Sequence, residues 1–522
     1  WINNGIKLLR DKGLYYNPKE LALYATLGRI FHEKMGQYTD EMHMVYKRRW
    51  AEEMDWVVGA PPLTGETNDA IQAIRRIADA PKTLQDLQAD PQLRPFLDKL
   101  AALQLQPDEN FLRYYNRFSP DPLTGTLEPA PKGPAQGEEK IAELMSSEPF
   151  AAARAKVLAF ARRKVLAEQY RMDPDWMLQL MVKYGPLDWR NVNSHAIYWA
   201  TLGLHRSAGL ALADIHPGAA EAKALAGGIE KLKLDEITRL NTERRVLHAL
   251  KSLTRTGQLY VRRIVNPQKP EETFVELEWL PDWRFIEPTN QEYLAGGKAL
   301  TGDPAQLGTE ANALRDGHIT YLEDVVVQSF FSGRTDMARQ YLNEIKTRLK
   351  PTSALYQHEM PMREFVMERT RQLGMPSSEL ARVFWAGGLR IAYASILVGD
   401  PNAYRYYHDF ARRAYYVYRG EIAHAPRLAL PPFPVVERDF LETLMLRPEV
   451  VRMRLSLINK SQLYNAISDD LKRAIYPAVA EGLRAECAQE NISFEAAFPP
   501  APRPPPAAPP PAKGPGSPPG PS

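Results

Sequence analysis

The sequence predicts an all-α chain of paired helices, with one inserted β-hairpin and a disordered Pro-rich C-terminal tail. Three observations carry that expectation. Apolar residues recur at three- and four-residue steps through most of the chain, the spacing that lines one face of a helix. Between Leu259 and Trp279 the period changes to two, on either side of a turn through Asn266-Pro267-Gln268-Lys269-Pro270. From Pro499 onward the chain is Pro, Ala and Gly with almost nothing to bury.

Composition bounds the function classes. With 522 residues, 44% apolar and 25% charged, the chain has the profile of a globular protein with room for several domains. A net charge of +3 is small for this size and gives no whole-molecule attraction to nucleic acid. Cys487 is the single cysteine, so no intrachain disulfide can form. No apolar run reaches membrane-spanning length; Phe384 to Val398 comes closest but contains Arg390 and two glycines, and reads as a buried helix. The numbering begins at Trp1 instead of Met, so the expectation is a fragment or mature form, in which a signal or anchor upstream would not be visible.

In order, residues 1–14 read as the tail of a helix stopped by Gly13. Asn17 is expected as the N-cap of the next helix, with Pro18 in its first turn and Glu20 three residues after the cap. That helix carries Leu23, Tyr24, Leu27, Gly28 and Phe31 and ends at Gly36; Thr39-Asp40 open a partner with Met42, Val45, Tyr46 and Trp50 on its inner stripe. These make a helical unit over 1–58. Short helices and a Pro/Gly-rich linker follow over 59–137, then a helical block over 138–241, in which HAIYWATLGL (195–204) reads as another first helix. Residues 242–290 combine a basic helix, with Val246, Leu247, Leu250 and Leu253 on one face, and the hairpin. Helix pairs occupy 308–430, a further helical block with helices near 434–446, 448–458 and 469–489 occupies 431–498, and 499–522 is the tail.

The stretch from His318 to Pro351 shows the pair pattern most clearly. Leu322, Val325, Val326, Ser329 and Phe330 share one helical face, Gly333 ends the helix, and Thr335-Asp336 open a second helix with Ala338, Tyr341, Leu342 and Ile345 inside. Large apolar, Gly in the turn, small Ala, aromatic, then Pro after the end: this order resembles a unit of the tetratricopeptide repeat (TPR) family. Taken together, WINNGIKLLRDKGLYYNP, the LYATLGRIFHEKMG and DEMHMVYKRRWAEEM segments, and YGPLDWR with HAIYW are similar to an uncharacterised bacterial family of TPR-like proteins. That resemblance implies an N-terminal hydrophobic segment upstream, hence a membrane-associated scaffold, and it implies no catalytic activity.

Chemistry-bearing residues are few. His32, Glu33, Asp40 and His43 form the one tight group of metal-capable side chains, but a turn separates the histidines, unlike the i, i+4 pair of a zinc helix. No Walker A or dinucleotide glycine pattern occurs, so no cofactor is implied, and Ser332-Gly333-Arg334 lacks the flanking glycine of a nucleophile elbow. Arg244, Arg245, Lys251, Arg255, Arg262 and Arg263 are a local basic excess beside the hairpin, the arrangement of a nucleic-acid- or anionic-surface-binding module. Glu271, Glu272, Glu276 and Glu278 on the far strand would oppose a phosphate backbone and count against nucleic acid. Tyr404, Tyr407 and Tyr415, among the tyrosines of 404–418, read first as helix-packing core and second as the wall of a binding groove. The expectation is therefore a non-enzymatic scaffold for a protein or peptide partner, with an enzyme site at a helical-block junction as the opposing class.

Overall fold

A computed structural model of the chain describes residues 2–501 except 38–39, 41, 63–65, 119–136, 209–228, 267–268, 296–308, 333, 350, 352–355, 357–359, 373–377, 422–430, 449–450, 452 and 454. The fold is mostly helical. It divides into two compact units: Trp1–Val327 with Asp336–Gln372, and Gln328–Thr335 with Leu373–Ser522. No helix among the described residues is long and apolar enough to cross a membrane.

The first unit is assembled around a helix that sequence periodicity treats as one of many. Helix α1 (Leu21–Arg29) runs on as a π-helical segment to Gly36, and α2 covers His43–Val58. After several short helices come α3 (Ala151–Gln169), α4 (Pro174–Tyr184) and α5 (Val192–Ala208). Every residue of α5 from Val192 to Leu204 is buried, so the helix is enclosed on all sides rather than amphipathic. Its principal neighbours are α1, far earlier in the chain, and the long α6 (Ile229–Thr256), the next helix in sequence, rather than the preceding α4. Glycines permit the α1–α5 approach: a Cβ on Gly203 would lie 2.3 Å from the Tyr24 Cβ, and one on Gly28 would touch the Ala196 carbonyl at 3.4 Å.

Strands β1 (Gln258–Asn266) and β2 (Lys269–Leu280) follow, antiparallel, with Leu259 opposite Trp279 and Arg262 opposite Glu276. Leu259 is buried with Ala51 of α2, and Leu277 and Trp279 pack against that pair. Helices α7 (Ile286–Ala295), α8 (Thr309–Phe331), α9 (Thr335–Glu344) and α10 (Met362–Gln372) follow. Arg315, near the start of α8, donates to the Leu349 carbonyl just beyond α9 at 2.6 Å, so α8 and α9 run back along one another. Ala338 is fully buried. Of the α8 residues expected to share one inner face, Leu322, Val325, Val326 and Ser329 are buried, but so is everything from Tyr321 to Ser329. Phe330 is only half-buried, while its neighbour Phe331 is fully buried in its place. Gly333, the expected turn residue, lies outside the described residues.

In the second unit, α11 (Ser378–Leu397) and α12 (Pro401–Glu421) form a close pair, joined by α13 (Phe433–Leu446), α14 (Leu457–Ala466) and α15 (Asp469–Gln489). Its core gathers Leu389, Tyr393, Tyr415, Phe440, Leu444, Tyr464, Val479 and Cys487, the cysteine acting as the small apolar filler expected of it.

Several boundaries differ from expectation for local reasons. The helix begun at Ile2 passes through Gly13 by a π-helical segment to Tyr16. Asn17 donates back to the Gly13 carbonyl at 3.3 Å, and the cap of α1 is Glu20, which accepts from the Ala22 amide. The helix expected at 448–458 starts only at Leu457, where Ser456 and Asn459 form a reciprocal capping box. On α2 the stripe is rotated: Met42 and Val45 are exposed, while His43, Lys47, Trp50, Ala51 and Met54 face inward. The C-terminal half of α2, with Trp50, Met54, Val57 and Val58 all buried, sets the helix phase and carries two polar side chains into the interior. Of the Pro-rich tail, residues 502–522 lie outside the described residues, as do most of the linker (119–136) and the Ala/Gly-rich insertion (209–228).

Candidate functional site

The densest polar constellation in the first unit sits at the start of α5. Arg190 grips Asp188 with two parallel bonds, Nε to Oδ1 at 3.0 Å and Nη2 to Oδ2 at 2.9 Å, while its Nη1 reaches Asp55 of α2 at 3.2 Å. All three side chains are under a tenth exposed. Ser194 donates to the Asp188 carbonyl at 2.7 Å, Asn191 caps the Asn193 amide at 2.9 Å and donates to the Thr256 carbonyl at 2.6 Å. His195 is fully buried among Phe31, Trp50 and Trp189, with ring centroids 5.2, 4.9 and 5.8 Å away. Its Nε2–H donates to the Trp189 carbonyl at 2.7 Å, leaving Nδ1 without a partner, and burial lowers its pKa to about 4. The imidazole is therefore neutral near pH 7. The constellation is closed on itself, and its groups tie α2, α5 and α6 together.

The metal-capable residues do not converge. His32 donates from Nδ1 to Asn193 Oδ1 at 3.0 Å and accepts from Gln37 at 3.2 Å, and burial is the main reason its pKa is lowered. Glu33 turns to Arg245, 3.1 Å away. His43 is buried separately, with its pKa lowered to about 4 by burial and then by Lys47, and Asp40 binds the Met42 amide and Lys34. Among the described residues no group of three His, Cys, Asp or Glu side chains could hold a metal ion. His318 donates to Asn290 at 2.7 Å and stacks on Tyr293 at 4.7 Å. His358 and Glu359 lie outside the described residues.

The basic excess on α6 turns inward. Arg245 bonds Glu33 and, at 3.3 Å, the Ala25 carbonyl of α1. Arg255 is paired with Asp324 of α8, and Lys251 lies 3.8 Å from the same carboxylate. Arg244 is half-buried. Arg262 and Arg263 are placed by the backbone opposite Glu276 and Val275. The partners that engage these cations, Glu33 and Asp324, are 212 and 69 residues away in sequence, and no local pattern announces them.

In the second unit the tyrosines sort by helix face. Tyr407 and Tyr415 of α12 are buried, the latter donating to the Pro431 carbonyl, whereas Tyr404 is half-buried. Beneath Tyr404, Glu437 of α13 accepts through one oxygen from Tyr393 at 2.5 Å and from His408 Nε2 at 2.6 Å. Burial and then Glu437 push the Tyr393 phenol well above its ordinary pKa, so it stays protonated. The His408–Glu437 pair has the form of a general-base dyad, but both groups are engaged in holding α12 against α13. Sequence reading missed this cluster because Glu437 comes from another helix. It also missed the outward side of α12, where Arg405, Arg412, Arg413 and Tyr416 are exposed.

Comparison of the chain with known protein families, with characterised proteins and with solved structures finds no match.

Proposed function

We propose that the chain is a non-enzymatic scaffold of TPR-like helix pairs with an inserted hairpin, and that it binds a protein or peptide partner on a helix surface. The observation that carries this reading is the two-sided nature of α12. Its inner stripe of Tyr407, Phe410, Ala411 and Tyr415 is buried, while Tyr and Arg side chains, the residue types that dominate binding hot spots, stand on its outer side. The ionisable groups with catalytic potential support the same reading: His32, His195 and the His408–Glu437 pair all bond fixed internal partners. Arg245 and Arg255, engaged with Glu33 and Asp324, speak against the α6 region as a nucleic-acid module.

The test is affinity capture with the full chain, followed by identification of what is retained and re-binding with purified partner. One partner retained in near-stoichiometric amount, by the parent and by a folded His32→Ala variant alike, is the expected result. Absence of any re-bindable partner, together with a turnover activity abolished by His32→Ala or Glu437→Gln, would assign the protein to the enzymes.

A further inference from the structure

We infer that the exposed face of α12 is a docking surface for an acidic segment of a partner protein. The inference rests on the scaffold reading and names the partner's chemistry. Arg405 and Arg412 lie about two turns apart on α12, Arg413 is next to Arg412 on the same turn and Tyr416 is about one turn beyond, a span of roughly 16 Å at the helical rise per residue. One carboxylate, Asp409, stands among these guanidinium groups, 2.7 Å from Arg412 and 3.7 Å from Arg413. The face therefore keeps an excess of positive charge. On the neighbouring α13, Asp439 and Glu442 turn to their own helix's Arg438 at 2.7 and 3.5 Å, and Glu437 is buried under Tyr393 and His408.

The face is also pre-organised. Ala411 packs so closely to α11 that a Cβ on Gly388 would lie 3.0 Å from its methyl group. Tyr416 is 47% exposed, yet its ring is steadied by Tyr415 and Phe433 at 5.8 and 6.3 Å. A rigid aromatic ring beside guanidinium groups loses little entropy on binding and offers both apolar contact and charge. A partner segment of about two to three helical turns, with carboxylates facing the arginines and an apolar side chain against Tyr416, matches the length and the sign of the face. Nucleic acid matches less well, because Asp409 sits in the middle of the line where a phosphate would lie.

The experiment measures fluorescence anisotropy of the full chain with a labelled peptide of about 14 residues, built of Glu and Leu at helical spacing. A peptide with Lys at every Glu position, a single-stranded oligothymidine and phosphatidylserine vesicles are run in parallel. The acidic peptide is expected to bind best, and more weakly as salt rises from about 0.05 to 0.5 M. Arg405→Glu/Arg412→Glu/Arg413→Glu should lose at least about tenfold in affinity and Tyr416→Ala about threefold or more. The neutral triple variant Arg405→Gln/Arg412→Gln/Arg413→Gln should lose affinity too, with unchanged circular dichroism, so that unfolding is not mistaken for loss of the face. Equal binding of acidic and basic peptides, or full binding by both triple variants, overturns the inference. Tighter binding of oligothymidine or vesicles, lost in the triple variants, overturns it in favour of nucleic acid or lipid. Should the variants still retain the partner identified by affinity capture, the docking face is wrong while the scaffold stands. Failure of capture by the parent removes the scaffold, whatever the peptide does.

Discussion

The two units solve the packing problem with different materials. The first buries charge throughout: Asp55, Asp188, Arg190, Glu243, Glu323 and Asp324 are all in its interior. The second, among the described residues, buries two charged side chains, Glu437 and Lys460, and otherwise packs tyrosine, phenylalanine and leucine. Buried ion pairs add little net stability over apolar packing, but removing one member leaves the other desolvated and alone. The first unit's polar groups are thus a device for a single arrangement of α2, α5 and α6. The second unit, with a more apolar interior, leaves Arg405, Arg412 and Arg413 exposed on its surface, with Asp409 as the carboxylate among them. Charge inside specifies structure; charge outside is available for work.

The largest expected effect falls on the Arg190 constellation. Asp55→Ala leaves the buried guanidinium short of a carboxylate and should destabilise the first unit by about 3–5 kcal/mol, read by denaturant unfolding. Arg438→Ala on the surface of the second unit should change stability by less than about 1 kcal/mol in the same assay. Equal effects would erase the contrast.

Acid should separate the units next. His43 and His195 have pKa values depressed to about 4, and His318 to about 3, against 6.5 in the unfolded chain. Because the unfolded state binds these protons more readily, the stability tied to neutral histidine is complete above about pH 6.5 and lost as pH falls toward 4. For the fully buried His195 alone this amounts to about 3 kcal/mol. Segment-resolved hydrogen exchange should show the first unit loosening between pH 6.5 and 4 before the second, and His195→Gln should flatten that dependence. Simultaneous loosening of both units would count against it.

Gly203→Ala tests the α1–α5 crossing. The added methyl would overlap Tyr24, and the helices must part, at about 1–3 kcal/mol. The smallest effect is expected for Glu33→Ala, which removes a half-exposed partner of Arg245 and should shift stability by less than about 1 kcal/mol.

Much of the helical framework was legible in the sequence, since α15 begins at Asp469 and ends at Gln489 as its apolar period requires. The turn glycine Gly36 also falls where the helix ends. Phase was less legible: Met42 and Val45 look like inner residues of α2, and only the packing of Trp50 and Met54 turns His43 and Lys47 inward instead. Buried helices such as α5 and α8 carry no amphipathic signal to say that they are central, because every side is covered. The pairing of Arg245 and Arg255 was invisible for another reason: a cation's partner is chosen by the fold, and Glu33 and Asp324 are local neighbours of neither. At the candidate site, the tyrosines of α12 announced the helix, but the sorting of Tyr407 and Tyr415 inward and Tyr416 outward needed α11 and α13 in place.

The most direct test of the division of labour between buried and exposed charge is a paired measurement on two variants of the full chain. Asp55→Ala and Arg405→Gln/Arg412→Gln/Arg413→Gln are each assayed for denaturant midpoint and for affinity toward the acidic peptide. The first should lose stability while the protein that remains folded binds as the parent does; the second should keep its midpoint and lose binding about tenfold. A folded, parent-like Asp55→Ala protein that no longer binds, beside an arginine variant that does, would contradict the account.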